Sequence, residues 1–293
     1  MKRSPIQTVG LFGKYQDDTV GTHLLRLARF LQARGLRTLV DEDTAPVLPE
    51  PVGPVLPLEA LGPQADVAIV IGGDGTLLHV ARNLAEHDVP VIGVNLGRLG
   101  FLTDIPLADM ERDVGRILAG EFQAERRLLL HAEVYRGGRQ MLSARAFNDV
   151  VLTKGELARL IEFETYIGNQ FVNSARGDGI IVATPTGSTA YAMSAGGPIL
   201  HPTLSALVLV PICPHTLSNR PIAISADSTI EIVLVGPTAG RAYVTFDGQL
   251  NYNLVDGDRI RLRRANHTVE LLHPLARNHY DVLREKLGWG AKY

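Results

Sequence analysis

Asp66-Val67-Ala68-Ile69-Val70-Ile71-Gly72-Gly73-Asp74-Gly75-Thr76 is the stretch from which the fold can be read. Asp66 to Ile71 is nearly all apolar and long enough for a strand buried on both faces, as in a parallel sheet. Three glycines and an aspartate follow, and Leu77-Leu78-His79-Val80-Ala81-Arg82 resumes with helical spacing. A strand, a glycine-rich turn and a helix start is where an α/β sheet offers backbone N–H groups to a phosphate. Glycine explains the close approach, but not Asp74. A carboxylate among phosphate-binding amides repels the ligand unless it holds a metal or takes a proton. That points to phosphoryl transfer rather than passive binding.

Outward from this unit, strands and helices alternate through residue 120. Thr8–Gly13 and Leu36–Val40 read as strands around a helix over Val20–Ala33, which Gly35 stops. Six prolines make 41–64 mostly loop. Val89–Val94 is a further strand and Leu107–Gly120 a further amphipathic helix. This is the pattern of a parallel α/β layer. After Phe122 the texture changes to short alternating runs: Leu128–Val134, Ala144–Leu152, Ile161–Ile167, Gly179–Thr184, Ala206–Val210, Thr229–Val235, Arg241–Phe246, Arg259–Arg263 and Thr268–Leu272. Gly137-Gly138, Gly168-Asn169 and Asp256-Gly257 are turn signals among them. The expected fold is thus an N-terminal Rossmann-like α/β domain over 1–122 and a C-terminal antiparallel β-sandwich over 123–275. The segment 276–293 carries a short helix, Tyr280–Leu287, expected to pack back on the first domain.

At 293 residues, with 45% hydrophobic and 20% charged content, the chain reads as a soluble globular protein. A net charge of −2 gives no reason to expect a nucleic-acid partner. No apolar run approaches the ~20 residues of a membrane span, and no signal-peptide core follows Met1–Pro5. One cysteine, Cys213, rules out an internal disulfide and any cysteine metal cluster; it reads as a small buried residue. The expected location is cytoplasmic. Arginines outnumber lysines 24 to 5, and no lysine stands in or beside the glycine turn.

The turn has neither the spacing G-x-G-x-x-G nor G-x-x-x-x-G-K-[ST]. Backbone amides, a metal ion and arginine must therefore neutralise phosphate charge. Further motifs sharpen the reading. Asn95-Leu96-Gly97-Arg98-Leu99-Gly100-Phe101-Leu102 places a second glycine-rich turn after the neighbouring strand, and two such turns can line one crevice. Asn148-Asp149 offers an amide and a carboxylate suited to ribose hydroxyls. Gly177-Asp178-Gly179 opens a strand that ends in Thr184-Pro185-Thr186-Gly187-Ser188-Thr189-Ala190-Tyr191-Ala192-Met193-Ser194-Ala195-Gly196-Gly197-Pro198, whose small hydroxylated residues and one tyrosine suit an adenine ring and a sugar edge.

On these motifs, with Pro214–Ser218, Arg220-Pro221 and Asp247-Gly248-Gln249, the chain from Asp66 to Trp289 resembles the NAD kinases, which phosphorylate the adenosine-side ribose 2′-hydroxyl of NAD to give NADP. The glycine turn is shared with lipid kinases and phosphofructokinase-like enzymes; Asp178–Pro198 is specific to NAD kinases. The resemblance implies ATP and NAD as substrates, a homodimer or homotetramer, and Asp74 as general base towards the 2′-hydroxyl. It places Asn148, Asp149, Asp178, Thr189, Ala190, Tyr191, Ala192, Met193, Ser194 and Gln249 in contact with NAD, joined by Arg159 and Arg176. Asp149 stands where many relatives have glutamate. Gly72, Gly73 and Gly75 would cradle phosphate. His79 is a further candidate there, with a partly exposed helix residue as the plain alternative. His215 and Ser218 are open between ligand contact and structural hydrogen bonding. No His/Asp/Glu cluster has metal-ligand spacing, so Mg²⁺ or another divalent cation is expected to arrive with ATP.

Three rivals remain. A dinucleotide-dependent redox enzyme would normally carry G-x-G-x-x-G. A catalytically silent NAD(P) sensor has no need of Asp74. A lipid or sugar kinase of the wider group has no reason to carry Asp178–Pro198. Arg259, Arg261, Arg263 and Arg264 read as a solvated strand face rather than a nucleic-acid patch.

Overall fold

The computed structural model describes residues 6–15, 17–97, 99–155, 160–216, 218–236, 242–275 and 278–289. The chain divides into two compact units, Met1–Arg126 with Thr268–Tyr293, and Arg127–His267.

The first unit opens with β1 (Thr8–Gly13), α1 (Asp18–Gln32), β2 (Arg37–Asp41), β3 (Val55–Leu56), α2 (Leu58–Leu61), β4 (Val67–Gly72), α3 (Asp74–Leu84), β5 (Val91–Asn95), β6 (Ile105–Pro106) and α4 (Met110–Leu118). The strands pair in parallel in the order β3-β2-β1-β4-β5-β6. The chain leaves β1 towards β3 on one side and returns to β4 on the other. The strand order reverses between β1 and β4, the place where open α/β sheets hold ligands, at the carboxyl ends of the strands. All six residues of β4 are buried. Val67, Ile69 and Ile71 pack with Val20, Leu24, Leu27 and Leu31 of α1 and with Met110, Val114 and Ile117 of α4. Each such side chain contributes about 1.5–3 kcal/mol relative to exposure. Helix α1 starts where the Asp17 carboxylate accepts from Thr19 N (3.2 Å). The loop expected over 41–64 holds more structure than its prolines suggest. Val55 pairs with Val40 at the sheet edge, and Pro57 precedes α2, where a missing N–H costs nothing.

The second unit is a sandwich of β7 (Phe122–Arg136) from Arg127 on, β8 (Arg139–Ala146), β9 (Asp149–Lys154), β10 (Ile161–Ile167), β11 (Gln170–Gly177), β12 (Gly179–Ala183), α5 (Tyr191–Ser194), β13 (Ala206–Ile212), β14 (Ile222–Ser225), β15 (Ile230–Val235), β16 (Ala242–Phe246), β17 (Leu250–Leu254) and the first half of β18 (Arg259–Pro274). One sheet runs β11-β10-β15-β18 with β7 and β8 beyond, the other β14-β13-β12-β9-β16-β17. Their inner faces share one core: Leu130, Val134, Phe163, Ile232 and Leu262 from the first, Val150, Leu152, Ile180, Leu209 and Phe246 from the second. The Gly137-Gly138 turn has positive φ at both residues (55° and 80°), as a two-residue hairpin with the native twist requires.

The sequence underestimates this sandwich at its borders. Strands β11, β14 and β17 were not expected, and all three are edge strands with mostly exposed side chains, so their hydrophobic alternation is weak. The runs Arg259–Arg263 and Thr268–Leu272 are one strand, β18. Conversely, Ala144–Leu152 is two strands, broken at Phe147-Asn148. The second half of β18 belongs to the first unit, where Leu271 pairs in parallel with Val91 of β5. Helix α6 (His279–Leu287) follows, capped by Asn278 Oδ1, which accepts from Tyr280 N and Asp281 N. Among the described residues no helix is long and apolar enough to cross a membrane.

Candidate active site

In the first unit, the glycine turn joins β4 to α3, with Gly73 as N-cap and Asp74 as the first helical residue. The Asp74 side chain turns towards the second glycine-rich turn. Its Oδ2 accepts from Phe101 N (2.9 Å); its Oδ1 accepts from Leu102 N (3.0 Å), Thr103 N (3.2 Å) and Thr103 Oγ1 (3.2 Å). Three consecutive backbone amides and a hydroxyl thus hold one carboxylate, so it has a single orientation. Gly100 makes this approach possible, because a Cβ there would run into Asp74 Oδ1 and Thr103 Oγ1. Gly72 is buried, Gly73 half-buried and Gly75 exposed, and a Cβ at either of the last two would meet nothing. At Gly73 and Gly75 no protein atom packs against the Cβ side of the turn.

No lysine stands beside the turn in sequence, but the fold brings the Lys14 backbone next to it. Lys14 follows β1 directly, and its amide donates to the Ile71 carbonyl (3.1 Å), one residue before Gly72. Its Nζ lies 2.9 Å from Asp17 Oδ2. Sequence distance concealed it; the β1–β4 register supplies it. From the other end of the chain, Lys286 of α6 lies with Nζ 5.8 Å from the centre of the Phe101 ring.

The second unit gathers three more of the motifs. Asp247, in the left-handed region at φ 52°, receives on Oδ1 the amides of Phe147 (3.0 Å), Asn148 (2.7 Å) and Asp149 (3.3 Å). Its own amide donates to the Asp149 carbonyl (3.0 Å). Thr184 N donates to the Asn148 carbonyl (2.9 Å) and Thr184 Oγ1 to the Phe147 carbonyl (2.7 Å). Gly187 presses against the Asn148 backbone so closely that a Cβ would overlap it. The backbone at 147–149 is therefore saturated, while among the described residues the Asn148 amide group and the Asp149 carboxyl accept or donate no hydrogen bond. Asp149 is 5% exposed. Burial, and secondarily the Asp247 carboxylate, push its carboxyl up to about 7.

The run after Thr184 covers the outer face of the second sheet. Ala192 is buried against Val151, Ile181, Val208 and Val210, with Ala195 and Leu200 at the margin. Ser188 is fully buried, donating to the Pro185 carbonyl (2.6 Å) and accepting from Leu200 N (2.9 Å). Tyr191 and Ser194 are exposed; Thr189, Ala190 and Met193 are half-buried. This explains a segment too polar for a core and too apolar for a linker: one side packs and the other remains open.

Two family comparisons match these regions. Residues 57–122 match the ATP-NAD kinase N-terminal domain and residues 147–273 the ATP-NAD kinase C-terminal domain. The chain is 50% identical over 287 residues to the NAD kinase of Ralstonia nicotianae, covering 98% of this chain and 94% of that one. It is 49% identical over 288 residues to the NAD kinase of Thiobacillus denitrificans, covering 98% and 99%. The chain belongs to the NAD kinase family. The fold agrees with that of yeast NADH kinase complexed with NADH, at a TM-score of 0.88 and 25% identity over 99% of this chain and 90% of that one. It also agrees with an NAD kinase from Archaeoglobus fulgidus in complex with ATP, at a TM-score of 0.75 and 24% identity over 95% and 99%.

The remaining expected site residues of this NAD kinase are spread more widely. The Asp178 carboxylate is paired with Lys154 Nζ (2.6 Å), both half-buried. Arg176 is exposed, 3.5 Å from Glu162. Gln249 is exposed in the turn after β16, its amide donating to the Phe246 carbonyl (2.9 Å). His79, His215 and Ser218 are exposed. Arg159, Arg98 and Leu217 lie outside the described residues. Cys213 corrects an expectation: it is exposed, at φ 43°, because strand β13 ends one residue earlier and the chain turns there. Asp247 and Thr184 were absent from the expected contact residues. Asp247 belongs to the motif Asp247-Gly248-Gln249, but only the fold shows its carboxylate facing backwards onto Asn148.

Among the described residues no three His, Cys, Asp or Glu side chains converge as metal ligands. The oxygen donor at the turn is Asp74, whose Oδ2 accepts one protein hydrogen bond. A hard cation that keeps its waters and takes most of its oxygens from phosphate fits such a surface better than one needing a protein cage.

Proposed function

We propose that this enzyme transfers the γ-phosphoryl group of ATP to the adenosine-ribose 2′-hydroxyl of NAD, giving NADP, with Asp74 as the general base. Family membership over nearly the whole chain carries the reaction; the carboxylate fixed at the head of the glycine turn carries the role of Asp74. The amides of Gly73 to Gly75, at the N-terminus of α3, would hold phosphate oxygens. Lys14, across the β1–β4 switch, would add positive charge. Mg²⁺ bound to the triphosphate and keeping its waters would supply neutralisation of phosphate charge, leaving Asp74 Oδ2 for the acceptor proton. The 2′-hydroxyl would give its proton to Asp74 as it attacks. Most of the rate enhancement comes from positioning and electrostatics, since phosphoryl transfer needs little covalent help. Asn148 and Asp149 would hold hydroxyls of NAD, and the open side of Thr189–Ser194 its adenosine. A homodimer or homotetramer in the cytoplasm is the accompanying proposal.

The direct test is incubation with NAD, ATP and Mg²⁺, detecting product with an enzyme that accepts NADP but not NAD. Absence of product, with NAD still bound, would favour the silent sensor.

The NAD role is tested on Asn148 and Asp149. Replacing either with alanine removes hydrogen bonds that leave a desolvated partner, worth about 1–3 kcal/mol, or roughly 5- to 150-fold in NAD affinity. The apparent affinity for ATP should change by less than about threefold. Calorimetric titration beside ATP kinetics decides the point. A lower melting temperature with intact NAD affinity would mean these residues serve only the turn.

Asp149 also makes a pH prediction. Its folded carboxyl binds a proton more tightly than in the unfolded chain, where it titrates near 3.8. The stability it contributes is full below that value and is lost as pH rises through about 7. Asp149→Asn, which cannot ionise, should flatten the fall in melting temperature between pH 5 and pH 8 while weakening NAD binding. An unchanged pH slope would place the Asp149 carboxyl in water.

A further inference from the structure

The amides that hold Asp74 have a support of their own. Phe101, Leu102 and Thr103 run directly into Asp104, which is 4% exposed. Asp104 Oδ2 lies 2.8 Å from Nδ1 of His273, near the end of β18. The other ring nitrogen, Nε2, lies 3.4 Å from Glu125 Oε2 in β7. His273 is itself 9% exposed, and all three residues belong to the first unit. A histidine 169 positions downstream of Asp104 is thus set between two carboxylates behind the Asp74 clamp.

Packing alone does not call for this arrangement. Taking carboxylates out of water is costly, and an apolar pair of similar volume would fill the space at no loss of stability. A hydrogen-bonded contact does something apolar packing does not: it fixes direction. Nδ1 meets one oxygen of Asp104, which fixes that residue's backbone and with it the preceding three amides. His273 has a rigid base for this, since Leu271, two residues earlier, pairs with Val91 of β5. Leu102 and Thr103 are buried, 3% and 0% exposed, so the segment has little freedom once Asp104 is held.

We infer that His273 is a positioning residue for phosphoryl transfer: through Asp104 it fixes the Phe101–Thr103 amides on Asp74, and so sets the direction in which the Asp74 carboxylate meets the acceptor hydroxyl. The inference rests on Asp74 being the base. A base displaced by a fraction of an ångström loses much of its value even when both substrates bind normally. The signature of the role is a fall in kcat without a matching rise in either KM.

The test is a double-mutant cycle on the full-length enzyme, with His273→Gln and Asp74→Asn singly and together. His273→Gln should lower kcat by about 10- to 100-fold, with KM for NAD and ATP within about threefold of the parent. In the Asp74→Asn background the same change should alter the residual kcat by less than about twofold, because the group being positioned is gone. Hydrogen exchange gives a second readout: the amides of Leu102 and Thr103 should lose protection in His273→Gln while those of β4 keep theirs. If His273→Gln does not fold, Asp104→Asn keeps an oxygen for Nδ1 and removes the charge. It should lower kcat by about 2- to 10-fold, again only when Asp74 is present. Equal falls in both backgrounds, or an unchanged kcat in folded enzyme, overturn the inference with the role of Asp74 intact. If Asp74→Asn alone keeps more than about a tenth of parent turnover, the base reading fails first and the positioning inference fails with it.

Discussion

Replacing Asp74 with asparagine should lower kcat by about 10²–10⁴-fold while NAD affinity changes by less than about threefold. The geometry explains why this substitution separates chemistry from folding. An asparagine oxygen in the place of Oδ1 can still accept from Leu102 N, Thr103 N and Thr103 Oγ1. Its amide would then face Phe101 N, so one hydrogen bond of the four is lost. An unsatisfied donor costs about 1–3 kcal/mol at most, which a domain of this size survives with a lowered melting temperature. What cannot survive is proton acceptance, because an amide has no basic oxygen near neutral pH. Steady-state kinetics on protein shown by calorimetry to be folded is the measurement. A folded variant with more than about a tenth of parent turnover would remove Asp74 from the base role. Asp74→Ala is the poorer experiment, since it also empties the clamp and frees the segment after Gly100.

Removing divalent cations should abolish turnover, and added Mg²⁺ should restore it, with NAD binding in the absence of ATP barely changed. A triphosphate brings several negative charges to a turn whose own contribution is backbone dipoles. Lys14 is the cation that the β1–β4 register delivers to this edge, and it is already 2.9 Å from Asp17. One such amine, 53% exposed, does not offset the charge of a triphosphate and of Asp74 together. Turnover after chelation, followed by titration with Mg²⁺, tests this, beside calorimetry of NAD binding in the same buffer. Robust phosphorylation without metal would mean that the chain's own cations suffice, and Lys14→Met would then be the next variant to measure. Loss of NAD binding on chelation would place a cation among the NAD contacts in the second unit, against the substrate-borne cation proposed above.

Much of this enzyme is legible from residues 66 to 102 alone. A five-residue apolar run, an abrupt glycine cluster and a helical period allow few local structures, because backbone sterics and burial act over a few residues and leave their mark in order. The sandwich is legible for its buried strands and not for β11, β14 and β17, because an edge strand buries too little to enforce alternation. The motif at 184–198 was visible as composition; that its Ala192 side packs on Val151 and Val210 was not. Tertiary structure alone decided which distant groups meet. It brought Lys14 beside Gly72, turned Asp247 back onto the amides of 147–149, and closed three amides and a hydroxyl around Asp74. It also set His273 against Asp104 across 169 positions. Such contacts depend on sheet order and register, which are fixed by the packing of the whole core. A single stretch of sequence therefore carries the type of a residue but not the identity of the neighbour that gives it a role.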